Sequence, residues 1–374
     1  MQLCPLSAVK QRIALGVPLP FDVCDGDRTL LLARGQVIEN QAQLDALLER
    51  GALVDADELR GPCAEIHEAP VHALPGLWGK CMDRMGTVLR ASVNFDFLTA
   101  LDAATRPVRA LIERDPDLAI FQIVRPEGGT RAQQYGVAHS LHVAIASQLA
   151  AHHLGWDKAR TQTLFKAAMT MNLGMLELQG RLALQVTPLT AAQRDAIRDH
   201  PSRGVEMLQA AGVNDDEWLQ AVAQHHEEEG GSGYPQGLQQ VGELASLLHR
   251  ADLYTAKLSP RVSRLPVAAH HAAREMFTQD HGNPLTAALV KAFGVYPPGC
   301  CVRLASGEVG LVVKRGASAN TPVVASLTNR NGDPMIEPVR RNTAQAEHAI
   351  VDVVNEQNLR VRVSPEKLVV LASG

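Results

Sequence analysis

Residues 221–238 read AVAQHHEEEGGSGYPQGL. Two adjacent imidazoles, His225 and His226, stand ahead of three glutamates and a glycine-rich turn, which looks like the edge of a metal site. Gly233-Tyr234-Pro235 reads as a fixed loop, with glycine permitting positive φ and proline stiffening the exit. A working site needs more ligands, delivered by other segments that converge in space.

Outward from this stretch, the sequence reads almost wholly helical from about residue 76 to 295. VAHSLHVAIASQLAAHHLG (137–155) repeats apolar residues at three- and four-residue spacing and stops at Gly155. DKARTQTLFKAAMTMNLGM (157–175) continues in the same register, and LTAAQRDAIRDHPSRGVEMLQAAG (189–212) opens on Thr190 as an N-cap and ends at Gly212. The flanks differ. LPFDVCDGDRTLLLARGQVI (19–38) places Asp25-Gly26 turn chemistry between two apolar runs, and the helical NQAQLDALLERGA (40–52) follows, ended by Gly51. After Pro297-Pro298, CCVRLASGEVGLVVKRG (300–316), TPVVASLTN (321–329) and EKLVVLASG (366–374) alternate as strands do. These textures predict three domains: residues 1–75, small and α+β; 76–296, helical; and 297–374, β-rich.

At 374 residues the chain exceeds what one core usually organises. A net charge of −4 supplies no basic field for gripping a nucleic-acid backbone, so DNA is not an expected partner. No signal peptide and no apolar run of membrane-spanning length is read, and six cysteines without a CxxC pair read as reduced thiols. The expected location is the cytoplasm.

The helical zone offers His139, His200, the His225-His226 pair and Asp252, each on a different predicted helix or helix end. Singly, each also reads as a surface or hydrogen-bonded core residue; His142, His152-His153 and His270-His271 are taken that way. The grouping gains meaning from its frame. HSLHVA (139–144), LTAAQRDAIRDHPSRGVEML (189–208), HHEEEGGSGYPQGL (225–238) and RADLYTAKLSPRVSR (250–264) follow the order of motifs in the HD-GYP family, which hydrolyses the second messenger cyclic di-GMP. The chain resembles that family over roughly residues 130–296. The resemblance implies a mainly α fold, an HD-type helical bundle, with His139, His200, His225, His226 and Asp252 as metal ligands. Arg261 and Arg264 then match positions that meet ligand phosphates, and Tyr234 and Tyr254 are aromatic candidates beside the same pocket. The Gly233-Tyr234-Pro235 loop would contact a partner such as a diguanylate cyclase domain, and a homodimer is a further expectation.

The departures fall at the catalytic positions. Where the family carries its His-Asp pair and a following lysine, this chain has Met171, Asn172 and Met175; Gly230 replaces the aspartate ahead of Gly-Ser-Gly-Tyr-Pro, and Tyr135 stands where some members carry an acidic ligand. A two-metal phosphodiesterase needs an anionic carboxylate bridging ions about 3.5–4 Å apart. Asn172 is neutral, Met171 is a soft thioether ill matched to iron or manganese, and Met175 removes a cation from the developing phosphate charge. The expectation is a cyclic di-GMP signalling protein with impaired catalysis, acting by nucleotide or partner binding. It carries either no metal or one iron or manganese ion at partial occupancy. The alternatives are an active phosphodiesterase with an altered, mononuclear site, and a helical adaptor.

Overall fold

The structure, a computed structural model, describes residues 3–19, 21–27, 29–33, 35–55, 62–91, 96–125, 132–354 and 371–372. The chain divides into two compact units, Met1–Ala69 and Pro70–Gly374. In the first, β1 (Leu3–Pro5), β2 (Val23–Cys24), β3 (Leu30–Leu32) and β4 (Leu53–Asp55) form a sheet in the order β1-β4-β2-β3. β2 and β3 pair antiparallel across the Asp25-Gly26 turn, where the Asp25 carboxylate accepts from the Asp27 and Thr29 amides. Helix α1 (Gln41–Glu49) is capped by Asn40, which accepts from Gln43 N, and it ends where Gly51 takes φ +67°. A second helix, α2 (Pro62–Glu68), closes the described part of the unit. Leu6, Phe21, Val23, Ile38 and Val54 make its core.

The second unit is mainly helical: α3 (Leu74–Arg90), α4 (Phe97–Arg114), α5 (Pro116–Val124), α6 (Ala132–His153), α7 (Lys158–Thr170), α8 (Leu176–Leu184), α9 (Ala191–Ala210), α10 (Asp216–Gln224), α11 (Glu243–Leu258), α12 (Ala269–Gln279) and α13 (Pro284–Phe293). Its axis is α6. Val143, Ala144, Ile145, Ala146, Ala150 and Ala151 are fully buried, as expected of a helix apolar on every side. α7, α8, α11 and α13 pack around it. Gly136 lets α8 come close, since a Cβ there would stand 2.8 Å from the Leu176 carbonyl. The capping box expected at Thr190 is present, Thr190 and Gln193 bonding each other's backbone. The helical register does not run through to Met175, however. α7 stops at Thr170, and Leu173–Met175 forms a short 3-10 turn instead.

The same unit carries an antiparallel sheet of β5 (Cys301–Leu304), β6 (Val309–Lys314), β7 (Val323–Thr328), β8 (Pro334–Asn342) and β9 (Ile350–Val353), ordered β8-β7-β6-β5-β9. Arg315 clamps this sheet to the helices, bonding Asp117 through Nε at 2.5 Å and the Ala292 carbonyl through Nη1 at 2.7 Å. Most of the expected strand at 366–374 lies outside the described residues. No helix among the described residues is long and apolar enough to cross a membrane.

Candidate metal centre

Pro201 explains how His200 is aimed. Proline has no amide hydrogen, so inside α9 the carbonyl four residues back, Ile197, loses its helical partner. The His200 Nδ1–H donates to that carbonyl at 2.6 Å. A carbonyl only accepts, which fixes the tautomer and leaves the Nε2 lone pair open. His225 reaches the same state by another route. It is the C-cap of α10, whose last carbonyls have no helical donors, and its Nδ1–H donates to Val222 at 2.7 Å. The two Nε2 atoms meet 3.0 Å apart.

His226 completes the cluster, with one ring nitrogen from each of His200, His225 and His226 within 4.8 Å of the others. Its ring stacks on Tyr234 at 4.6 Å, and its carbonyl accepts the Tyr234 amide at 3.0 Å. Burial holds all three imidazoles neutral. His200 is lowered from the ordinary 6.5, His225 is lowered well below it, and His226 falls to about 4. Two neutral nitrogens facing lone pair to lone pair at 3.0 Å repel unless a cation lies between them. Ligands bound at about 2.1 Å and at right angles stand about 3 Å apart, so the donor set fits one divalent ion.

His139 is placed differently. Its Nε2 bonds the Asp252 carboxylate at 2.6 Å, joining α6 to α11 in a buried pair. Burial raises the Asp252 pKa, but the His139 hydrogen bond and the imidazoles around it outweigh burial and hold the carboxyl well below its usual range. Asp252 also acts electrostatically on His200, His225 and His226, which sets the pair beside the cluster.

Met171 is fully buried and Asn172 nearly so, in the break after α7. This break packs against α9 at His200: a Cβ on Gly174 would come within 2.5 Å of the His200 carbonyl, and one on Gly204 within 3.7 Å of the Met171 carbonyl. The Asn172 Oδ1 has no hydrogen-bond partner among the described residues. Met175 is half-buried at the N-cap of α8. Gly230 is exposed at φ +88° in the loop after the histidines.

Of the expected ligand-contacting residues, Arg261 is brought near. Its Nε donates to the Tyr135 hydroxyl at 2.9 Å, its guanidinium lies 5.7 Å from that ring's centroid, and Tyr135 stacks on His139 at 6.1 Å. Arg264 is exposed and turns back to the Ala256 carbonyl at 2.6 Å. Tyr254 corrects the sequence expectation. It is only 1% exposed and packs edge-to-face on Phe293 of α13, because two residues along a helix from Asp252 is the wrong face.

Sequence reasoning missed Glu227. This buried carboxylate accepts from the backbone amides of Gln236 at 2.6 Å and Leu238 at 3.0 Å, pulling the glycine loop around itself. Gly233 is required there, since any Cβ would fall 2.4 Å from the Glu227 Cα. It also missed His249, whose Nδ1–H holds the His225 carbonyl at 2.8 Å.

Residues 123–281 match the HD domain family. Over 246 residues the chain is 29% identical to "Cyclic di-GMP phosphodiesterase PA4108" of Pseudomonas aeruginosa, covering 64% of this chain and 57% of that protein. Over 143 residues it is 30% identical to "Cyclic di-GMP phosphodiesterase response regulator RpfG" of Xanthomonas campestris, covering 36% of this chain and 35% of that protein. The chain thus spans about half of the first relative's length and about a third of the second's. A solved structure, Bd1817, an HDG"Y"P protein from Bdellovibrio bacteriovorus, aligns with a TM-score of 0.45 at 18% identity, over 77% of this chain and 97% of its own.

Proposed function

We propose that this chain, which matches the HD domain family over residues 123–281, belongs to its HD-GYP branch and works in cyclic di-GMP signalling in the cytoplasm by binding the nucleotide rather than hydrolysing it. One observation carries the reading. Three imidazoles gather their ring nitrogens within 4.8 Å, two of them with Nδ1 committed to backbone carbonyls, while Met171 and Asn172 stand where the resemblance puts the family's His-Asp pair.

His200, His225 and His226 would hold a single divalent ion, which supplies Lewis-acid polarisation of a phosphate oxygen when bound. A second ion lacks its charge. Asn172 brings a neutral carbonyl oxygen to the position where the family carries its bridging carboxylate. The His139 Nε2 is already engaged by Asp252. Arg261, propped on Tyr135, presents a guanidinium for a phosphate, and the Tyr234 ring offers a flat face beside His226. The loop around Glu227 is the surface for a protein partner such as a diguanylate cyclase domain.

Calorimetry with cyclic di-GMP, paired with chromatographic detection of linear product, tests this. The expected result is saturable binding without turnover in the presence of manganese or iron. Turnover at either metal contradicts it and favours an active mononuclear enzyme; absence of binding contradicts the nucleotide role itself.

A further inference from the structure

Residues 224–226 turn out of α10 into the glycine loop, and each of their three carbonyls has a donor. The Gln224 carbonyl accepts from the Glu227 amide at 2.8 Å and the His226 carbonyl from the Tyr234 amide at 3.0 Å, both in the segment that follows. The carbonyl between them is held from elsewhere. That of His225 accepts from the His249 Nδ1–H of α11 at 2.8 Å. This carbonyl belongs to the peptide that joins His225 to His226. A peptide unit is planar from one Cα to the next, so one bond to its oxygen restrains the direction of both imidazoles at once.

The sequence of α11 explains why the ring arrives there. Leu248 is fully buried, and the Arg250 Nε is drawn off to Asp280 at 2.7 Å and Thr286 at 3.2 Å. His249 is left on the helix face that carries Asp252 three residues on. Both residues of that face act on the histidine cluster. Asp252 acts through its charge, and the His249 ring stands edge-on to His226 with centroids 6.3 Å apart. A carbonyl only accepts, so the His249 Nδ1 carries a proton. Its Nε2 lies 3.9 Å from one Glu228 carboxylate oxygen, beyond hydrogen-bond length, and the other oxygen accepts from the Ser232 hydroxyl at 2.6 Å. The Nδ1 bond is the one that ties this ring to the cluster.

We infer that His249 is a positioning residue of the metal centre, orienting the peptide between the ligands His225 and His226. The inference rests on the reading of His200, His225 and His226 as an ion site and deepens it. A cavity of about 320 Å³ between α3 and α6 has His139 in its wall and is not lined by His249, so His249 acts through its neighbours rather than on a bound molecule.

Two substitutions separate this bond from packing. His249→Phe keeps a ring and removes both nitrogens, whereas His249→Asn shrinks the side chain but sets an amide N–H where Nδ1 stood. Manganese binding to the full-length protein is measured by calorimetry, and cobalt(II) in its place reports ligand geometry through its visible absorption. His249→Phe is expected to lose about tenfold or more in manganese affinity, as outer-shell partners of metal-bound histidines do, and to shift the cobalt bands. His249→Asn should stay within about threefold of the natural protein and keep its bands. If His249→Phe does not fold, His249→Ala takes its place in the same comparison. Natural affinity and natural bands in His249→Phe overturn the inference, and so does a loss in His249→Asn equal to that in His249→Phe. The two readings separate. Manganese bound equally by the natural protein and His249→Phe removes this role and leaves the ion site standing; no uptake by the natural protein removes both.

Discussion

A histidine trio and a histidine–aspartate pair sit side by side in this bundle, and they are prepared for different ends. In the trio, His200 and His225 spend Nδ1 on backbone carbonyls and present Nε2 toward each other and toward His226. In the pair, His139 spends Nε2 on Asp252, so acid and base satisfy each other. The trio turns open lone pairs toward one another; in the pair the Nε2 and a carboxylate oxygen hold each other, while the His139 Nδ1 has no partner among the described residues. The contrast shows that ligand residue types do not make a ligand site. What decides is which ring nitrogen another group, a backbone carbonyl or the Asp252 carboxylate, has already claimed.

The largest break in that contrast comes from His225→Ala. Removing one of three imidazoles should weaken manganese or iron binding by at least about a hundredfold, measured by calorimetry. The corresponding His139→Ala should change metal affinity far less, because its Nε2 is committed to Asp252. Equal losses from the two substitutions would merge trio and pair into one site.

Acid sharpens the comparison next. His226 has its pKa lowered to about 4 and His142 to about 3, burial being the main cause in both. Unfolded, each titrates near 6.5, so the unfolded chain takes up protons that the folded chain refuses. Stability of the metal-free protein is therefore full above pH 6.5 and is lost as the pH falls toward 4. Thermal melts in chelator at pH 7.5 and pH 5 check this. His142→Leu should flatten the slope, and an unchanged slope would show that His142 is solvated.

A smaller effect is expected at the loop. Glu227→Gln exchanges a charged acceptor of two amide hydrogens for a neutral one and should cost about 1–3 kcal/mol, read from urea unfolding. It should also loosen Tyr234 from His226, visible as a change in near-ultraviolet dichroism.

Much of this was legible in the sequence. The helical zone, the Thr190 cap, the Asp25-Gly26 hairpin and strands β5 to β7 follow from periodicity and turn chemistry, because those signals are local. The N-terminal strands β1 and β4 escaped notice, since three residues each carry no period and pair across some fifty positions. The order of the histidines was readable from spacing. Their tautomers were not, although Pro201 beside His200 held the clue in the Ile197 carbonyl it leaves free. Glu227 was hidden in a run of three glutamates of which it alone is buried. Tyr254 was misplaced because only the packing of α13 tells which side of α11 faces the core. The α3 wall of the cavity beside His139 lies outside the motif-bearing segments and carries Gly79 and Gly86.

His200, His225 and His226 are proposed to hold one ion, with Met171 and Asn172 denying a second. Counting bound iron and manganese per chain by elemental analysis tests it most directly, on the natural protein and on the Met171→His, Asn172→Asp double variant. One ion per chain is expected for the natural protein and two for the variant, which regains an imidazole and a bridging carboxylate. Two ions in the natural protein, or none in either, would contradict it.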